Sequence, residues 1–275
     1  MIGALFEPPI NISFLGLVVG SVISTIVMLA LFVHAEKTKN AGIVDVGWSF
    51  LMGLLALIYA YISVAPGVMD WVIGGLAAFW AFRLAFHIWV RGRGKEEDGR
   101  YQAMRRASGK NATLVFFVFF LFQAFLAVLF AMPFHFAILN ERAGIEGIRF
   151  WDVLGIAIWV IAVLGELIAD GQLERFRKNP ANKGKTCRAG LWRYSRHPNY
   201  FFEWLHWFAY VAFAVGSPYW ALTFMGPILM YVFLVYVSGI PWTEQQSLRS
   251  RGDDYRRYQQ ETSAFFPWFP KNLNS

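Results

Sequence analysis

The sequence predicts an all-α integral membrane protein: a seven-transmembrane helix bundle with its N-terminus outside and its C-terminus in the cytoplasm. Three observations carry this. Of 275 residues, 57% are hydrophobic, with 27 Phe and 12 Trp among them. The apolar residues fall in blocks of about 20, the helix length that crosses a hydrocarbon core of roughly 30 Å. The basic residues then alternate in density from one loop to the next.

The blocks are 12–33, 43–63, 71–90, 113–137, 151–173, 199–216 and 219–240. No basic residue precedes the first and no convincing small-residue cleavage site follows it, so it reads as a retained helix and not as a secretory signal. Loops 34–42, 91–112 and 174–198 carry two, seven and eight Lys or Arg, and the stretch after 240 carries five. Loops 64–70, 138–150 and 217–218 carry none, two and none, and Arg83 lies inside a span. The side with 22 of the 25 basic residues is cytoplasmic by the positive-inside rule. Seven spans use up most of the chain, so residues 1–275 read as a single integral membrane domain, a monomer, multi-pass in a bacterial inner membrane. Topology accounts for the net charge of +7 without nucleic acid as a partner. The single cysteine, Cys187, excludes an intrachain disulfide and any CxxC metal site.

Ionisable residues at membrane depth are costly and usually mark a site. Here they recur at helical spacing. Trp80, Arg83, His87 and Arg91 share one face of the third span, and Glu166, Asp170 and Arg177 one face of the fifth. Asn199, Glu203, His206 and Tyr210 repeat along the sixth, and Glu244, Leu248, Arg251 and Tyr255 after the seventh. Asp45 and Trp48 open the second span. Each alone has a plainer reading: Arg91 and Arg177 can snorkel to headgroups, and His87 can be a packed core histidine. Together they point into the cytoplasmic half, where a polar, anion-holding cavity would serve them all. The loop ERFRKNPANKGKTCRAGLWRYSRH, 174–197, suits a phosphate through its arginines, although a headgroup-binding patch has the same composition. GxGxxG, GxxxxGK[ST], HExxH and clustered His/Cys are absent, which excludes a Rossmann or P-loop phosphate site and argues against a metal.

The runs GLWRYSRHPNYFFEWLHW (190–207) and SGIPWTEQQSLRSRGDDYRRYQQETSAFFPWFP (238–270) resemble the steroid 5-alpha-reductase family, its bacterial members most. GIVDVGWSF, WAFRLAFHIWVRGRGKEEDGRYQAMR and DGQLERFRKNP fit the same family in the same order, so the likeness spans residues 40 to 270. The resemblance implies a seven-helix membrane reductase that uses NADPH to saturate the C4–C5 double bond of 3-oxo-Δ4 steroids. It implies cofactor contacts for Arg83, Asp170, Arg177, Asn199, Glu203 and Tyr255, with Arg193, Arg196, His197 and His206 closing over the reactive end. Glu166 stands where the family has a cofactor-binding asparagine, and Glu244 where it has a histidine. Asp45, Val46 and Trp80 stand where the animal enzymes place a glutamine, a glutamate and a tyrosine that polarise the steroid carbonyl.

Hydride addition to an enone puts negative charge on the carbonyl oxygen, so a donor is needed there. Asp45, Trp48, Trp80 and Tyr200 are the candidates; Asp45 serves only if protonated, a state that burial favours. The lipophilic substrate arrives from the bilayer among the Leu, Phe and Met side chains of the first four spans. Two other readings stay open. The RHPNY run and the tail are shared in outline with isoprenylcysteine carboxyl methyltransferases, which use S-adenosylmethionine, and a non-enzymatic sterol-binding protein is the second.

Overall fold

The computed structural model describes residues 8–63, 67–140 and 147–272, with side chains from Phe14 onward. Its regular structure is helical, without a strand among the described residues. In chain order the helices are α1 (Pro8–Thr38), α2 (Ile43–Tyr61), α3 (Val68–Gly92), α4 (Gly99–Ser108), α5 (Ala112–Ile138), α6 (Phe150–Lys178), α7 (Pro198–Leu205), α8 (Trp207–Phe213), α9 (Trp220–Thr223), α10 (Met225–Val232), α11 (Ile240–Arg251) and α12 (Asp253–Glu261). Six helical stretches are long and apolar enough to cross a membrane: Phe14–Thr38, Ile43–Tyr61, Val68–Gly92, Gly99–Ile138, Phe150–Lys178 and Trp220–Arg251. The protein is therefore a multi-pass membrane protein.

The run 199–216, expected as the sixth of seven spans, does not form one helix. It divides at His206 into α7 and α8. His206 Nδ1 meets the Glu203 carbonyl at 2.6 Å, and Ala209 N–H then bonds back only three residues, to His206. A side chain inserted into the i→i−4 ladder is a recognised cause of such a bend. The run 219–240 is also segmented: α9 and α10 are followed by a π-helical turn, Phe233–Val237, before α11 starts with Pro241 in its first turn.

The chain divides into two compact units, Met1–Ile145 with Ala214–Thr223, and Glu146–Phe213 with Phe224–Ser275. In the first, α2 packs along α3, and α5 packs against α1 and α2. Helices in lipid associate through close approach of small residues more than through water exclusion. Gly74 of α3 shows this: a Cβ there would come within 2.9 Å of the Ala60 Cβ and 3.0 Å of the Ala56 carbonyl. Met28, Val44, Leu51, Phe116 and Phe120 fill the core between α1, α2 and α5.

Loop 91–112 contains α4, whose first N–H groups are capped by Asp98, accepting from Arg100 N at 2.9 Å. The helix delivers Arg100 and Tyr101 to Asp45, and Arg105 to Glu97 and Glu36. Glu97 also accepts from the Ala41 N–H at 2.9 Å. These bonds join the ends of α1, α2 and α4.

In the second unit α6 packs against α7 and α8. α6 starts at an aspartate that turns back on its own cap, Asp152 accepting from Arg149 N at 3.1 Å and Arg149 Nη2 at 2.7 Å. Loop 179–197 is fastened to α12: Thr186 N–H donates to Asp254 at 2.7 Å, and Arg188 Nη2 to the Asp254 carbonyl at 2.7 Å.

Candidate functional site

Two polar clusters of different character lie in the second unit. The first is a knot around Glu244 of α11. Arg196 Nε donates to Glu244 Oε1 at 2.6 Å, Gln259 Nε2 to Oε2 at 2.8 Å, and Tyr255 Oη to Oε1 at 3.4 Å. The rest of the Arg196 fork goes to the carbonyls of Gln259 (3.0 Å) and Thr262 (2.6 Å). Tyr258 Oη donates to the carbonyls of Trp192 and Ser195, and Ser195 Oγ to that of Phe265 at 2.9 Å. His197 Nε2 stands 3.4 Å from Glu244, with its ring stacked on Tyr200. Burial holds the His197 imidazole below its usual value, against the opposing pull of Glu244. The ring is thus neutral near pH 7, and the charges of the knot are Arg196 and Glu244. Burial, reinforced by Glu244, pushes the Tyr255 hydroxyl up to about 12. Every donor of this set points inward, so the knot ties residues 192–197 to α11, α12 and the segment after it.

The second cluster lies where α6 faces α7. Asn199 Nδ2 donates to Asp170 Oδ1 at 3.1 Å. The other amide atom, Asn199 Oδ1, is buried and has no hydrogen-bond partner among the described residues. Glu166, one turn before Asp170, and Glu203 and His206, further along the face of Asn199, are all buried. Arg177 closes the α6 face two turns beyond Asp170. Buried polar groups are paired in the great majority of cases, so an unpaired acceptor beside a carboxylate fits a ligand that brings N–H or O–H donors. Arg193 stands apart from this cluster. It borders a groove lined by Ile161, Leu164, Gly165 and Ile168. At 100° per residue these lie on the side of α6 opposite Glu166, Asp170 and Arg177.

Asp45, Trp48, Trp80 and Arg83 belong to the first unit. Asp45 accepts from Tyr101 Oη at 2.6 Å and from Arg100 Nη2 at 2.9 Å, so both of its oxygens act as acceptors. Trp48 packs edge-on against Phe130 at 5.3 Å, and its indole N–H is buried without a hydrogen-bond partner among the described residues. The same holds for Tyr59 Oη and Ser24 Oγ. Trp80 is fully buried on α3, with Arg83 one turn on. Tyr200, in the second unit, shares a hydrogen bond with Thr243 Oγ1 at 3.1 Å.

Residues 31–262 match the family described as "Protein of unknown function (DUF1295)". The chain belongs to that family. An uncharacterized protein of the fission yeast Schizosaccharomyces pombe is 26% identical over 278 residues, covering 91% of this chain and 79% of the yeast protein. No solved structure matches the chain.

The DUF1295 match takes in both clusters and ends at Thr262, whose carbonyl receives Arg196. Within it, the residues expected around a cofactor separate into four groups, of which Arg83, on α3 of the first unit, is one by itself. Asp170, Arg177, Asn199, Glu203 and His206 belong to the α6–α7 face; Arg196, His197, Glu244 and Tyr255 form the knot; Arg193 borders the groove. Sequence reasoning missed Tyr258 and Gln259 of the knot. Tyr258 repeats Tyr255 three residues on, the spacing that signals a shared face. It also missed Tyr59, eleven residues and three turns beyond Trp48 on α2.

Proposed function

We propose that this protein is an NADPH-dependent reductase that saturates the double bond of a lipophilic enone, with 3-oxo-Δ4 steroids as the substrate class. The observation that carries this reading is Asn199, an amide whose buried oxygen lacks a donor while its nitrogen is held by Asp170. A nicotinamide carboxamide with its ribose hydroxyls brings such donors, and the cation to meet the phosphates is Arg177 on the face of Asp170. DUF1295 is related to steroid 5-alpha-reductase-like membrane proteins, which supports the choice of reaction class. Bound NADPH supplies the hydride.

The chain's own part is to orient and to polarise. Asn199 and Asp170 would hold the cofactor's amide and ribose. When hydride reaches the β-carbon of the enone, charge moves to the carbonyl oxygen, and a preorganised donor there lowers the barrier. Taken by itself, the first unit offers Trp48 as a better donor than Asp45, because its indole N–H has no acceptor among the described residues while the Asp45 oxygens already accept from Arg100 and Tyr101. Tyr59 and Ser24 of the same unit also carry buried hydroxyls without a partner among the described residues. A proton from solvent water would complete the reduction at the α-carbon. In this reading the basic loops face the cytoplasm, where NADPH is available, and the substrate enters from the bilayer.

The test is thermal unfolding of the detergent-solubilised protein with NADPH, NADH and S-adenosylmethionine. A ligand at a hundred times its Kd stabilises by about 2.7 kcal/mol, so NADPH should raise the melting temperature most. A rise with S-adenosylmethionine alone would replace the reductase by a methyltransferase.

A further inference from the structure

The groove beside Arg193 has no part in that chemistry. It measures about 600 Å³. Ile161, Leu164, Gly165 and Ile168 of α6 line it, and the segment with Arg193 and Tyr194, also in its lining, meets α6 one turn further on, where Leu191 N–H donates to Gln172 at 2.9 Å. Its depth comes from Gly165: a Cβ there would run into the Phe202 ring, so α6 and α7 meet closely and leave a recess along their seam. The floor is apolar for about 10 Å, the rise of seven helical residues. Ile161, Leu164 and Ile168 are all exposed, as lipid-facing side chains of a spanning helix are.

Three features set the polar end at headgroup depth. Tyr194 is joined to the C-terminal segment, where Trp268 N–H donates to its carbonyl at 2.8 Å and Phe269 stands edge-on to its ring at 5.9 Å. Trp268 and Phe269 are 72% and 75% exposed, and exposed aromatics are enriched at the membrane–water interface. The Arg193 side chain is exposed and makes no hydrogen bond or ion pair with a described residue. A free guanidinium above an apolar trough, in a loop of eight basic residues, complements a phosphate carried on a hydrocarbon chain.

We propose that this groove binds one anionic phospholipid of the surrounding bilayer, its phosphate on Arg193 and an acyl chain along Ile161, Leu164 and Ile168. The site does not depend on the reductase reading, since it lies on the opposite side of α6 from Asp170. Native mass spectrometry of the detergent-released protein tests it, with palmitoyl-oleoyl phosphatidylglycerol and the matching phosphatidylcholine as probes. The wild type should retain one phosphatidylglycerol in preference to phosphatidylcholine. Arg193→Gln should weaken phosphatidylglycerol retention about tenfold, the scale of one charge-assisted hydrogen bond, and phosphatidylcholine, whose phosphate charge the choline offsets, by less. Leu164→Trp, which fills the trough from an exposed position, should lower retention of both. Equal retention of the two lipids by the wild type, or undiminished phosphatidylglycerol on Arg193→Gln, overturns the proposal.

Discussion

In the knot around Glu244 the carboxylate, the arginine and the two tyrosines all have partners, whereas three residues along the chain from Arg196 the amide oxygen of Asn199 has none. Both regions are polar, both adjoin α7, and both read alike in sequence as arginine, histidine and carboxylate at helical spacing. The difference lies in hydrogen-bond completeness. A satisfied buried network rigidifies the structure around it, while an unsatisfied buried group carries a desolvation cost until something pairs with it. The knot thus has its bonding met within the chain, whereas the Asp170–Asn199 face, and separately the Trp48 indole of the other unit, keep polar atoms without a partner among the described residues.

Removing the cation from the knot should have the largest effect. Arg196→Ala leaves Glu244 without its charged partner and orphans the carbonyls of Gln259 and Thr262. Breaking a buried pair in this way costs about 3–5 kcal/mol, read as a large fall in melting temperature in detergent. Arg196→Lys should not restore it, because an ammonium lacks the planar fork that reaches Glu244 and both carbonyls together. Wild-type melting with weakened NADPH binding would instead move Arg196 into the ligand grip.

Trp48→Phe probes the opposite case. Phenylalanine keeps the ring packed against Phe130 and removes only the N–H. Turnover of a 3-oxo-Δ4 steroid such as testosterone should fall about 10²-fold, the usual loss for one such donor, with melting temperature unchanged or slightly raised because an unpaired donor has gone. Unchanged turnover would pass the role to Trp80 or Tyr200.

Much of the fold was legible. Apolar length and loop charge located α2, α3, α5 and α6 within a few residues, because bilayer thickness imposes a length that composition reports directly. The break at His206 was not legible, since a side chain meeting a carbonyl three residues back leaves no trace in hydropathy. α4 was hidden for the converse reason: a polar, charged helix looks like a loop unless Asp98 is recognised as its cap. For the site, periodicity grouped Asp170 with Arg177 and Asn199 with Glu203, and the structure has each pair on one helix, α6 and α7. Periodicity could not tell that Arg196 and Glu244 satisfy one another, nor that Arg193 turns to the far side of α6, because pairing across distant segments is a tertiary property.

Asn199→Ala should have a smaller effect than either of the first two. NADPH affinity should drop about tenfold, the scale of one well-made hydrogen bond to a charged or strongly polar group. The ligand-free protein should change by less than about 1 kcal/mol, because only the bond to Asp170 is lost. Isothermal titration with NADPH and melting without it separate the two. A large loss of ligand-free stability would place Asn199 with the knot, as architecture.

The smallest expected effect concerns a satisfied contact at the surface. Burial alone would raise the Asp254 carboxyl, but the hydrogen bonds from Thr186 and the positive charge of Arg188 outweigh it and hold the group below its usual value. A carboxylate lowered in the folded state contributes stability that is present above its unfolded value, near 3.9, and lost as pH falls through the folded one. Asp254→Asn should therefore melt lower than the wild type at pH 6, and the gap should close below about pH 4 as the wild-type carboxyl takes up a proton. Melting curves of the two proteins at pH 6, 5, 4 and 3 measure this. A gap that stays constant down to pH 3 would mean that the charge of Asp254 contributes nothing, and that the uncharged bonds at this corner, with Tyr258 at the Trp192 and Ser195 carbonyls, are what hold the loop 179–197 to α12.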